Sequence, residues 1–202
     1  MKALRSWAEL CLVARRQLCF LVIFLGAGMP ALAADRYTFD ELHSIAQFEF
    51  SHLGVTTQTG RFDKVKGTVY VDFAKRSGSV IYEVETASLN MGYGTETPDS
   101  AGYRLFNVVK FPVIRFKSTK LIFNAQKEII AADGTLTMLG VSKPLRVNVN
   151  NFKCAISPVN RLNTCACDVS ATLIRSDFGM IQYLPGISDE IRVNVPVEAI
   201  KN

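Results

Sequence analysis

Ile191-Arg192-Val193-Asn194-Val195-Pro196-Val197-Glu198 places an apolar side chain at every second position. A strand turns successive side chains to opposite faces, so this period of two marks a strand with one face buried. The same reading extends outward along the chain. Ala46, Phe48 and Phe50 alternate with Gln47, Glu49 and Ser51; Val69, Val71 and Phe73 with Thr68, Tyr70 and Asp72; Leu145, Val147 and Val149 with Arg146, Asn148 and Asn150. Less regular strand candidates cover residues 79–84, 113–123, 129–138 and 163–173. Turn chemistry separates them at Lys75-Arg76-Ser77-Gly78, at Asn124-Ala125-Gln126-Lys127 and at Gly140 to Pro144. Asp133-Gly134 fits either a tight hairpin or a glycine bulge, and the short flanking runs favour a bulge inside one longer strand. Pro196 has no amide hydrogen and belongs where the ladder needs no donor.

One segment breaks the pattern. Thr97-Pro98 reads as a helix N-cap followed by proline at the first helical position. Ala101, Leu105, Val108 and Val109 then recur at helical spacing until Phe111-Pro112 stops the run, so a short helix is expected near residues 98–109. Strands with amphipathic faces and one helix make a two-sheet sandwich or a closed barrel. Bulky residues hold the inward phase, among them Phe48, Phe50, Tyr82, Phe116, Leu136 and Met138. Periodicity alone does not say whether they fill the interior or line a cavity.

The 202 residues are 49% hydrophobic and 20% charged, which excludes a disordered chain. The formal charge of +5 is unevenly placed. Residues 1–33 carry Lys2, Arg5, Arg15 and Arg16 against Glu9, leaving 19 basic and 17 acidic residues in the remainder. That near-neutral body lacks the dense basic patch of a nucleic-acid binder. The N-terminal stretch reads as a secretory signal peptide, with basic residues, an apolar run from Leu18 to Gly28, a break at Pro30 and the small-x-small site Ala31-Leu32-Ala33. Cleavage after Ala33 leaves 34–202 as one exported domain with no stable membrane insertion, since the apolar run falls short of the ~20 residues that span a bilayer. Cys11 and Cys19 leave with the leader, and of Cys154, Cys165 and Cys167 two are expected to pair in an oxidising compartment. Three thiolates binding a metal is the alternative, but no histidine lies nearby and the spacing fits no common zinc pattern. No metal and no cofactor are expected.

Chemistry candidates are sparse. Asp40, His43 and Ser44 include the residue types of a hydrolytic triad, yet on a strand His43 and Ser44 would point to opposite faces, and no nucleophile elbow surrounds the serine. A hydrogen-bonded structural histidine is the preferred reading, and no catalytic residue is assigned. His52 is either a polar group at a pocket mouth or a strand-end residue, the latter preferred. In Arg175-Ser176-Asp177-Phe178-Gly179-Met180, Arg175 and Asp177 are candidates for a local charge-assisted pair, with Gly179 allowing an unusual backbone angle. Phe178, Met180, Tyr183 and Leu184 either build a corner or face a cavity opening.

In order along the chain, these residues resemble the YceI-like proteins, described as polyisoprenoid-binding. The likeness runs from about Tyr37 to Ala199. It begins with Tyr37-Thr38-Phe39-Asp40 before His43-Ser44, then Phe48, His52-Leu53-Gly54 and Gly60-Arg61-Phe62. It continues through Leu105-Phe106-Asn107, Phe111-Pro112 with Phe116 and Ser118, the stretch Gly134 to Pro144, Arg175 to Met180, and Ile187 to Ile191. Each piece is weak alone, and the ordered set is specific. The resemblance implies an eight-stranded antiparallel lipocalin-like barrel around an apolar tunnel, in a protein exported to the bacterial periplasm. It also favours a Cys154–Cys165 disulfide with Cys167 left over. Asn107 departs from the family, where an acidic residue is common.

The expected function is a periplasmic lipid-binding protein that sequesters or carries an isoprenoid quinone, a polyprenyl chain or a fatty amphiphile. Its expected tunnel wall is Phe48, Phe50, Val69, Val71, Tyr82, Ile114, Phe116, Leu136, Met138, Phe178 and Tyr183. An eight-stranded barrel has room for packed side chains or for one slender ligand. The alternatives are a lipid-acting hydrolase using His43 or His52, and a solidly packed structural or stress-response barrel. A homodimer is compatible with such a barrel, although no exposed stripe demands one.

Overall fold

A computed structural model describes residues 34–92 and 100–202. The leader expected at 1–33 and the Thr97-Pro98 cap lie outside the described residues. Eleven antiparallel strands form one hydrogen-bonded system: β1 (Asp35–Phe39), β2 (Ala46–His52), β3 (Thr56–Phe62), β4 (Val65–Asp72), β5 (Ser77–Glu85), β6 (Leu89–Asn90), β7 (Val113–Phe123), β8 (Ile129–Met138), β9 (Val141–Ile156), β10 (Asn163–Ile174) and β11 (Ile187–Lys201).

Register reduces these eleven strands to eight staves. Both β1 and β2 lie along β11, through Tyr37↔Lys201 and Gln47↔Asn194, so they are one long strand interrupted between them. β4 and β3 follow them in turn, through Tyr37↔Val69 and Phe48↔Gly60. β5 pairs with β4 and β6 with β3, the break between them being a 3-10 turn at Thr86–Ser88. The remaining staves follow in sequence order from β7 to β11, and β1 against β11 closes the ring. The fold is the closed eight-stranded antiparallel barrel with one short helix. Closure leaves no free sheet edge around the ring.

Local chemistry accounts for the irregularities. β8 runs unbroken through Asp133-Gly134, as the strand lengths suggested, but the extra residue sits on its neighbour. Ser118 faces Gly134 and Lys120 faces Asp133, which leaves Thr119 of β7 as the bulged residue, its hydroxyl donating to the Asp133 carbonyl at 3.2 Å. Pro196 falls where β11 has β10 on one side and, on the other, the interruption between β1 and β2. Two residues on, the Glu198 amide donates into that interruption, to Ser44 Oγ at 3.1 Å, so by strand parity the missing proline donor is one the ladder never used.

The helix is shorter than its sequence spacing implied and occupies Ala101–Phe106. Ser100 caps it, accepting from the Tyr103 amide at 3.2 Å, and Asn107 ends it in the left-handed conformation with φ 45°. Val108 and Val109 therefore belong to the turn that follows. Asparagine tolerates that backbone region better than most residues, which gives Asn107 a structural role at its departure from the family pattern. The helix packs on β3 through Phe106 and Phe62, whose ring centroids are 5.2 Å apart, edge to face. No described helix is long and apolar enough to cross a membrane.

Candidate functional site

The inward faces of the staves enclose a cavity of about 550 Å³, a size typical of small-molecule sites. It extends from Val71, Phe152 and Cys165 at one end of the barrel to Phe50, Met180 and Ile187 at the other. We call these the disulfide end and the helix end. From Ile187 to Ala199 the wall strand rises about 3.3 Å per residue at a tilt near 40°, so the bore is on the order of 30 Å long. That shape suits one linear chain.

Glycines help keep the lumen open. Gly60 faces Phe48 across the β2–β3 pair, and a Cβ on Gly60 would collide with the Phe48 ring. Gly134 receives the Phe116 ring in the same way; a Cβ there would lie 2.6 Å from Phe116 Cζ. Each glycine lets an aromatic ring lie against the wall rather than stand into the bore.

Of the expected wall residues, Phe48, Phe50, Val69, Val71, Tyr82, Ile114, Phe116, Leu136 and Met138 line this cavity. Phe178 and Tyr183 do not. Phe178 is buried in a 3-10 turn, Arg175–Phe178, and Tyr183 stands exposed in the following loop at φ 64°. Met180 from the same segment does face the cavity, whereas Leu184 is partly exposed. Sequence reasoning left out the wall supplied by Ala171, Leu173, Val193 and Val195, although the alternation that identified β11 already put its two valines on one face. It also left out Leu105, which its own helical spacing had marked, and Met91 and Phe106, which the residue after β6 and the end of the short helix bring to the bore.

Polar groups on the bore are few. Arg175 is 2% exposed and lies on the lining. Its partner is not Asp177. Instead Nε donates to the Ser188 carbonyl at 2.9 Å, Nη1 to the Met180 carbonyl at 2.7 Å and Nη2 to the Ile187 carbonyl at 3.0 Å. The 3-10 turn and the return of β11 carry those carbonyls inward, out of reach of Asp177. Asp189 is held elsewhere, accepting from the Ser176 amide at 2.8 Å and the Ser176 hydroxyl at 2.7 Å. Burial pulls the Arg175 pKa down, and the charge of Asp189 partly opposes this. The Tyr82 hydroxyl donates to the Ser44 carbonyl at 2.7 Å, and burial raises its pKa.

The disulfide joins Cys154 of β9 to Cys165 of β10, residues directly opposite in register. Cys167 remains a free thiol on the bore, pushed up to about 12 by burial first and by Asp168 second. A thiol held so far above neutral pH is a packing group rather than a nucleophile.

Asp40, His43 and Ser44 lie in the interruption between β1 and β2, not on a strand. His43 Nδ1 lies 3.0 Å from Asp40 Oδ2, and with Glu198 these groups gather within 4.8 Å on the outer surface. Ser44 is fully buried and clamps β11, its hydroxyl donating to the Glu198 carbonyl and accepting from the Glu198 amide, each at 3.1 Å. With both roles of the hydroxyl engaged in this way, Ser44 serves as a staple. His52 is an exposed strand-end residue opposite Ile187. Neither histidine lines the cavity.

The model of the YceI-like domain matches residues 37–199. The chain belongs to the YceI-like family. Relatives include a UPF0312 protein of Shewanella baltica, 27% identical over 87% of this chain and 92% of its own length, and one of Pseudomonas aeruginosa, 28% identical over 85% and 89%. Among solved structures, BcnA of Burkholderia cenocepacia shares the fold with a TM-score of 0.64 at 19% identity, over 79% of this chain and 98% of its own. A polyisoprenoid binding domain from Saccharophagus degradans does so with a TM-score of 0.59 at 16% identity, over 82% and 98%.

Proposed function

We propose that the protein is a periplasmic carrier or store that holds one isoprenoid or other long amphiphile in the bore. The observation that carries this reading is the continuous apolar cavity running the length of a closed barrel. Its wall residues, including the nine expected from the sequence, would contact the chain. Burying hydrocarbon is worth roughly 0.8 kcal/mol per methylene, so a long tail supplies ample affinity with few polar contacts. The printed description of the Saccharophagus relative as a polyisoprenoid binding domain points the same way. The leader expected at residues 1–33 and the disulfide support export to an oxidising compartment. A binding role without catalysis fits the placement of His43 and His52 outside the bore and the staple role of Ser44.

Native mass spectrometry of protein purified from its own host tests the proposal. A co-purifying hydrophobic species in the molar range of the protein is expected. Delipidated protein that takes up neither a prenyl nor an acyl chain overturns it.

A further inference from the structure

Arg175 is a fixed positive charge set into an apolar wall. Three of its five N–H donors are spent on main-chain carbonyls, and no described carboxylate comes within ion-pairing distance. Burying a cation costs free energy unless opposite charge or strong acceptors compensate it. Main-chain carbonyls compensate only in part. Asp189, the carboxylate that acts on it through space, is committed to Ser176. A neutral donor could hold the 180–188 segment to the barrel without bringing a charge to the cavity. Two N–H groups and a charge compensated only in part are therefore left over, on a residue that lines the bore.

We propose that Arg175 is the head-group station of this bore, selecting amphiphiles whose polar end presents an oxygen acceptor and no donor. The inference rests on the lipid-binding reading and adds a chemical class to it. A carbonyl or a carboxylate oxygen meets the guanidinium, while the tail runs toward the disulfide end. A hydrogen bond to an ionised donor is stronger than a neutral one, and an ammonium head would meet like charge. A plain hydrocarbon would leave the two donors as they are and gain tail burial alone.

The test is a titration of delipidated protein with four probes of equal tail length: a fatty acid, a long-chain methyl ketone, a primary amine and an alkane. The acid and the ketone are expected to bind at least about tenfold tighter than the alkane, with the amine weakest. The ratio of acid to ketone then tells which oxygen chemistry the station prefers. In R175M the preference should vanish while the alkane still binds. R175K, which keeps the charge but not the fork, should retain part of it; should R175M fail to fold, R175K and the wild-type series decide. Equal affinities for all four probes overturn the head-group station and leave the lipid-binding reading standing. A preference that persists unchanged in R175M overturns it as well. If no probe binds at all, the lipid-binding reading itself falls, and the station with it.

Discussion

The two ends of the barrel are fastened by different physics. At the disulfide end Cys154 and Cys165 join β9 to β10, and β1 closes on β11 with Lys201 Nζ 2.8 Å from an Asp35 carboxylate oxygen. Phe73 packs there against Phe123 and Phe152, with ring centroids 6.4 and 6.2 Å apart. At the helix end the cover, among the described residues, includes the six-residue helix, the two-residue β6 and the segment that follows β10. The Arg175 guanidinium, through three carbonyls, ties that segment down together with the Ser176–Asp189 hydrogen bonds and the Leu53 amide, which donates to the Gly186 carbonyl at 2.6 Å. Rings pack at both ends, but one is closed by a covalent bond and the other by hydrogen bonds around a buried charge. Stability and ligand selection should therefore separate along the barrel axis.

Removing the covalent link gives the largest expected effect. The disulfide closes a short loop, 11 residues apart in sequence, worth about 3 kcal/mol in the chain-entropy model. For a domain of this size that corresponds to a fall in Tm of about 6–12 °C in the Cys154→Ser/Cys165→Ser double variant. Affinity for a long-chain probe should stay within a few-fold of wild type. Thermal melts paired with probe titration check both, and a joint loss would show that the two ends are mechanically coupled.

Gly60→Ala tests the opposite end with a smaller effect. The new methyl group displaces the Phe48 ring from the wall, and overpacking of this kind costs about 1–3 kcal/mol. With the ring pushed toward the bore, this substitution should lower Tm modestly and weaken tail binding as well. A melt shift with unchanged probe affinity would mean that the ring relaxes outward instead.

How legible the molecule was in its sequence follows the same division. Alternation located the long staves, because a half-buried strand must repeat with a period of two, and β11 was readable from Ile191 to Val197 alone. The interruptions were not readable. Asp40 to Ile45 breaks a strand because Ser44 bonds β11 through its hydroxyl, a long-range contact that no local pattern encodes. The bulge fell on Thr119 of β7 rather than on Gly134, which pairs with Ser118, since a bulge belongs to a pair of strands and not to one residue. At the site, wall residues from regular strands were predictable by phase. Arg175 was singled out, with Asp177 as its candidate partner, but its acceptors are carbonyls delivered by a turn. The Cys154–Cys165 pairing came from the family resemblance, while the directly opposite register that permits it appears only in the fold.

The smallest expected effect lies at the waist, where β1 hands over to β2 and the two ends meet. The hydrogen bond that His43 donates to Asp40, together with the charges of Asp40 and Glu198, holds the His43 pKa above its ordinary 6.5. The same bond to His43 lowers Asp40 below 3.8. A raised histidine contributes its stabilisation fully below the unfolded value and loses it as pH climbs through the folded one. The lowered Asp40 contributes above its unfolded value and loses it as pH drops through its folded one. The pair is thus intact between the lowered Asp40 value and the raised His43 value, and it weakens on either side. Because His43 is exposed, the stability change across this window should be slight. An NMR titration of the imidazole should place His43 above 6.5 in the wild type and return it toward 6.5 in Asp40→Asn, with Tm almost unmoved. A large fall in Tm in that variant would mean that the outer pair, and not the Ser44 staple behind it, joins the two ends of the barrel.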